Sequence, residues 1–157
     1  MRAIIILLIL SACVFAAEVK ITADRFHADE KALRSRFSGN VIITKGEDIL
    51  TADVITIDFN EKQEPLRYEA QGSISVNVAM NGKRYHASGN TLTYDVTLNK
   101  YTLEGDAFLE DITTNRKVYG NLIMIDQNNS VYVVDGSAEP VKFIFQIDDA
   151  KSKEDKK

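Results

Sequence analysis

The chain has 157 residues, enough for one domain with a sizeable core once an export segment is removed. Its 23 acidic against 19 basic residues give a net charge of −4. That balance argues against nonspecific nucleic-acid binding, which needs a basic face to neutralise phosphates, and against adhesion to anionic headgroups by charge alone. Only two prolines interrupt the chain, so long strands are permitted.

Residues 1–16 read as a cleaved signal peptide: Arg2 supplies the positive start, Ala3 to Leu10 the apolar run, and Val14-Phe15-Ala16 the small-residue cleavage site. The run is too short for a permanent bilayer span. The only cysteine, Cys13, lies inside it, so the mature domain has neither disulfide nor thiol chemistry. Leu10-Ser11-Ala12-Cys13 also reads as a lipoprotein processing box, which would leave a lipid anchor on Cys13. Both readings export the chain.

From residue 17 to 147 the pattern is β. Ile55, Ile57 and Phe59 alternate with Val54, Thr56 and Asp58, and Ile74, Val76 and Val78 with Ser73, Ser75 and Asn77. Leu92, Tyr94 and Val96 alternate with Thr91, Thr93 and Asp95, and Tyr101, Leu103 and Leu109 continue the series. A period of two in β-branched and aromatic residues marks half-buried strands. The separators are turn formers: Lys45-Gly46-Glu47-Asp48, Asn60 to Gln63, Asn81-Gly82, Asn99-Lys100 and Gln127 to Ser130. Asn81-Gly82 suits a tight primed turn, which needs positive φ at both central residues. No segment has a helical period, and Ala28 to Arg36 reads as a polar turn between Phe26 and Phe37. Asp148 to Lys157 is charged and nearly free of apolar side chains, the composition of a disordered tail.

Glycines repeat through this pattern: Gly39, Gly72, Gly105 and Gly136 stand 33, 33 and 31 residues apart. Between them recur Thr51-Ala52-Asp53, Ala87-Ser88-Gly89 and Val118-Tyr119-Gly120, with Thr22-Ala23-Asp24 as a leading copy. Stacked antiparallel repeats bury together an apolar face that one copy cannot, as a stack of hairpins or a sandwich of two sheets. The glycines either mark bulges where strands bend, or keep an inner wall low where a ligand passes.

Catalytic chemistry finds little support. His27 and His86 are far apart and no cysteine joins them, so no zinc site is expected, nor any cofactor. Asp24, Asp53, Asp106 and Asp135 recur in the repeat, where charges at turns and strand edges block unwanted pairing. His86 and Ser88 share one strand face, but no sharp turn presents Ser88 as a nucleophile. The sequence reads as a non-enzyme. The basic pairs Lys83-Arg84, Arg34 with Arg36, and Arg116-Lys117 lie near turns, either as solvated hairpin ends or as a rim for phosphate groups.

Taken in order, these motifs resemble a known family. The strings ITAD (Ile21 to Asp24), FSGNVIITKG (Phe37 to Gly46), LTADVITI (Leu50 to Ile57), HASGNTLTY (His86 to Tyr94), YTLEGDAFL (Tyr101 to Leu109) and VYGNLIMI (Val118 to Ile125) resemble the OstA-like (LptA) domain family of lipopolysaccharide transport. The resemblance runs from about Val19 to Phe143. It implies an all-β fold of repeated antiparallel strands forming an open β-jellyroll, a taco-like trough for the acyl chains of lipid A. It also implies a periplasmic bridge carrying lipopolysaccharide from the inner to the outer membrane. The implied partners are lipopolysaccharide, an inner-membrane anchored relative, the outer-membrane member and further copies joined head to tail.

The lipid-binding groove would be lined by Ile55, Ile57, Phe59, Ile74, Val76, Val78, Leu92, Tyr94, Val96 and Leu103. By analogy with the family's inner strands, Val19, Ile21, Val41 and Ile43 join them. The alternative is a structural or adhesive secreted β-repeat protein in which these residues close into an ordinary core.

Overall fold

The computed structural model describes residues 18–147; the export segment with Cys13 and the charged tail from Asp148 lie outside the described residues. Ten strands form one antiparallel sheet: β1 (Val19–Thr22), β2 (Arg25–Asp29), β3 (Arg34–Lys45), β4 (Asp48–Phe59), β5 (Pro65–Met80), β6 (Lys83–Asp95), β7 (Lys100–Asp111), β8 (Arg116–Asp126), β9 (Val131–Asp135) and β10 (Lys142–Ile144). Strands β3 to β8 follow one another as a meander. Each edge is a strand broken in two: β1 and β2 share β3, while β9 and β10 share β8. The two edges do not pair with each other, so the sheet is open.

A single layer cannot seal its own side chains, yet Val41 and Ile57 are each 1% exposed. The sheet does so by folding along a crease. Register shifts fall at the same level in every pair from β3/β4 to β7/β8, at Ser38/Val41, Thr51/Val54, Gln71/Ile74, Ser88/Thr91 and Glu104/Ala107. Gly39-Asn40, Gly72-Ser73 and Gly105-Asp106 all have positive φ there, an extra left-handed pair that bends each strand. The crease divides the sheet into two jaws that face each other. The upper jaw ends in turns at 46–47, 81–82 and 112–115, the lower in turns at 30–33, 60–64, 96–99 and 127–130. This is one folded sheet where the sequence suggested hairpin stacks or two sheets, because strands of 11 to 16 residues run through the crease instead of ending at it.

Gly39, Gly72 and Gly105 are therefore bend points, whereas Gly136 has no left-handed φ and lies in the break between β9 and β10. The space a Cβ would take at Gly39, Gly72 and Gly105 is filled by Asp24, Asp53 and Asn90 of the preceding strand. Asp24 also accepts a hydrogen bond from Asn40 Nδ2 at 2.9 Å. Asp24 and Asp53 thus cover the crease and do not guard an edge. Asn81-Gly82 forms the expected turn with φ of 52° and 75°. Ala28 to Arg36 departs from expectation: it contains the end of β2 and the start of β3, and the turn is only 30–33. Cross-strand pairing of Phe26 with Phe37, ring centroids 4.8 Å apart, extends the strands into it.

Outside the lower jaw, Arg34, Asp58, Arg67, Asp95, Lys100 and Asp126 lie opposite one another in register from β3 to β8, alternating in sign. Exposed pairs of this kind add little stability each, but they disfavour slipped registers.

Substitution at the crease separates backbone strain from crowding. Gly46→Ala meets only left-handed strain, about 1–2 kcal/mol, since nothing lies near its Cβ position. Gly72→Ala must also displace Asp53, and its unfolding free energy in urea is expected to fall by at least about 1 kcal/mol more.

Candidate functional site: the inner face of the folded sheet

Pairing registers define rows of inward side chains that cross the sheet from edge to edge. On the upper jaw one row runs Ile21, Ile43, Leu50, Val76, Ala87, Leu109, Val118 and Phe143. On the lower jaw, next to the crease, a second runs Phe26, Phe37, Ile55, Ala70, Leu92, Leu103, Ile123 and Val134. A third, nearer the lower rim, contains Ile57, Tyr68, Tyr94, Tyr101, Ile125 and Tyr132. Strand alternation puts these on one face and the residues between them on the other, most of them polar, with Phe108 and Tyr119 forming an outward aromatic pair.

The residues expected to line a groove fall into two layers. Val41, Ile55, Ile57, Ile74 and Leu103 are 1–5% exposed and fill the crease. Ile21, Ile43, Phe59, Val76 and Leu92 are half-buried and pack over that core. Val19, Val78 and Tyr94 stand half-buried farther out, and Val96, at 37% exposure, lies past the end of β6 in a lower-rim turn. The crease is thus packed by the protein itself, while the flanks nearer the rims are partly open. A second small core, Leu103, Ala107 and Ile123, continues the packing towards β8 and shares Leu92 with the first.

Sequence reasoning did not single out the tyrosine ladder, because Tyr68, Tyr94 and Tyr101 come from three strands and meet only through register. Tyr94 stacks on Tyr101 with centroids 4.3 Å apart, and Tyr68 follows at 6.2 Å. Tyr94 donates a hydrogen bond to Asn99 Oδ1 at 3.1 Å. Burial, with Tyr94 adding to it, pushes the Tyr101 phenol up to about 12, and burial raises Tyr68 as well.

Of the other residues considered, Lys83 and Arg116 fall on the inward side at the upper rim, while His86, Ser88 and the remaining members of the basic pairs lie outside. His86 and Ser88 share the outer face; His86 Nδ1 is 3.0 Å from Asn77 Oδ1, and Ser88 lies opposite Ser75 and Phe108. Arg34 binds Asp58 at 2.6 Å, Arg84 binds Glu47 at 3.1 Å, and Lys117 and Lys83 approach Glu110 and Asp111 at 3.9 Å. Among the described residues no group of three or more His, Cys, Asp or Glu side chains is placed to hold a metal ion.

One antiparallel sheet, creased along its length, apolar within and unpaired at both edges, defines the open β-jellyroll class. The chain belongs to the LptA/(LptD N-terminal domain) LPS transport protein family, whose sequence pattern matches residues 20–131. Among solved structures it is similar to LptH, the LptA homologous periplasmic component of the lipopolysaccharide transport device from Pseudomonas aeruginosa. The two share 20% identity and a TM-score of 0.68, over 83% of this chain and 96% of that one. Comparison with curated protein sequences finds no match.

The tyrosine ladder makes stability depend on alkaline pH. With its folded value raised, Tyr101 stabilises the fold fully below the ordinary phenol range near 10 and progressively less as pH climbs towards 12. Denaturant midpoints at about pH 9 and about pH 11 should differ less for Tyr101→Phe than for the unaltered chain. Equal differences would show that Tyr101 is not held neutral.

Proposed function

We infer that the chain binds lipopolysaccharide through its acyl chains, between the two jaws, and passes it across the periplasm from the inner towards the outer membrane. The observation that carries this reading is the inner face: an apolar row runs without interruption from β1 to β10, and among the described residues neither end of it is capped by another element. Membership of a lipopolysaccharide transport family supports it, as does the likeness to a periplasmic component of such a device. Residues 1–16 would direct the export this location requires.

Burial of one methylene is worth about 0.8 kcal/mol, so an acyl chain of about a dozen carbons gains roughly 10 kcal/mol. A carrier must spread that gain evenly, or the lipid would stop at its deepest trap. The inner rows offer similar side chains at successive strands, so a chain displaced by one strand meets nearly the same surface. Energy for directed movement comes from elsewhere in the transport system. The unpaired edges suit β-augmentation by further copies, by an inner-membrane anchored partner and by the outer-membrane member. Exposed Tyr132, Phe143 and Phe145 at the β9/β10 edge favour such pairing, since an apolar edge is a poor surface to leave in water.

A photo-crosslinking residue at Val76 or Tyr94, in cells making lipopolysaccharide, is expected to give lipid adducts, and one at outward Asn77 none. Adducts at neither inner position, with the protein folded and exported, would return the closed-core structural reading to first place. Val76→Asp should weaken binding severalfold while leaving the fold largely intact, with some loss of Tm because Val76 is half-buried against the core but outside the sealed crease.

A further inference from the structure

The two jaws differ in the charges they turn inward. Among the strands of the lower jaw no inward side chain is ionised: Phe37, Phe59, Tyr68, Tyr94, Tyr101 and Ile125 are typical of that wall. The cations of its strands stand on the outer face, Arg34, Arg67 and Lys100 in register with the carboxylates of the alternating ladder and Arg25 and Arg36 beside them. The upper jaw is apolar near the crease but changes at its rim. Each of its three hairpins places one cation on the inward side: Lys45 beyond Ile43, Lys83 beyond Tyr85, and Arg116 beyond Val118.

Two carboxylates share this rim, and both are engaged. Asp48 accepts a hydrogen bond from Ala79 N–H at 2.9 Å, and Asp111 accepts one from Thr114 N–H at 3.1 Å while facing Lys83 at 3.9 Å. Among the described residues Lys45 and Arg116 take part in no ion pair within 4.0 Å. The register sets Lys45 opposite Asp48 and Arg116 opposite Asp111, so three inward cations face two carboxylates and the rim keeps a net positive charge above an apolar wall.

We propose that the upper rim is the headgroup rail of the trough: phosphate groups of the amphiphile travel against Lys45, Lys83 and Arg116 while its acyl chains point down to the crease and the uncharged lower jaw. This rests on the lipid-carrying reading above and adds a fixed orientation to it. Strand spacing of about 4.8 Å puts the three cations roughly 14 and 10 Å apart along the trough. A phosphorylated head leaving one is then within a short step of the next. The opposite orientation would bring the phosphates to a wall with no inward cation and leave the upper rim's charges over hydrocarbon, at a desolvation cost. Ion pairs at an exposed rim are individually weak, which suits a moving ligand.

The test compares two variants that remove equal charge. Lys45→Gln/Arg116→Gln alters the upper rim; Lys31→Gln/Lys62→Gln alters turn lysines of the lower rim. Affinity is measured for lipid A and for lipid A stripped of both phosphates, with melting curves to confirm that both variants fold. The upper-rim variant is expected to bind lipid A about three- to tenfold more weakly and the dephosphorylated form unchanged, while the lower-rim variant matches the unaltered chain for both. Lys45→Arg/Arg116→Lys should retain lipid A binding. Equal loss from both variants, loss that persists without phosphates, or no loss at all overturns the headgroup rail. Failure of the unaltered chain to bind either form overturns the lipid-carrying reading itself.

Discussion

Everything in this fold depends on how one sheet buries an apolar face without a second layer. A flat sheet of these strands would leave Val41, Ile55, Ile57 and Ile74 against water, and burying side chains of this size is worth about 1.5–3 kcal/mol each. The crease solves this by turning the face upon itself. It requires left-handed backbone at the same level in alternate strands, and hence glycine at 39, 72 and 105. It also requires a filler for the volume that glycine leaves, supplied by Asp24, Asp53 and Asn90. Crease, core and trough are consequences of one repeated backbone device.

Much of this was legible in the sequence. Period-two alternation marked the strands, and the spacing of Gly39, Gly72 and Gly105 located the bends. What stayed hidden was relational. Nothing in the string Thr51-Ala52-Asp53 says that the carboxylate covers Gly72, nineteen residues on. Residue spacing likewise left open whether strands stopped at the glycines or ran through them. The tyrosine ladder needed the register of three strands. Ala28 to Arg36 misled because its polar composition is that of a turn, whereas Phe26 and Phe37 hold most of it in strands.

Alternation grouped Ile55, Ile57, Phe59, Ile74, Val76, Val78, Leu92, Tyr94 and Leu103, and family analogy added Val19, Ile21, Val41 and Ile43; these share the inward face, but neither argument measures depth. Val41, Ile55, Ile57, Ile74 and Leu103 hold the crease shut, and others of the set stand on the flanks. The distinction matters for a carrier. Sealed residues fix the bend, and on the proposed function their half-buried neighbours are the surface that an acyl chain would share. Charge follows the same separation. Ionised groups are kept outside the lower jaw or at the upper rim, so the inner face on both sides of the crease stays uncharged.

The latch of Asp or Asn over glycine recurs every two strands, which makes the trough a modular object. Adding one 33-residue repeat would extend the crease by two strand spacings, about 10 Å, without disturbing the units on either side. Span could thus be set by gene duplication or deletion of whole units, much as a ruler is cut at its graduations, while the cross-section of the trough stays constant.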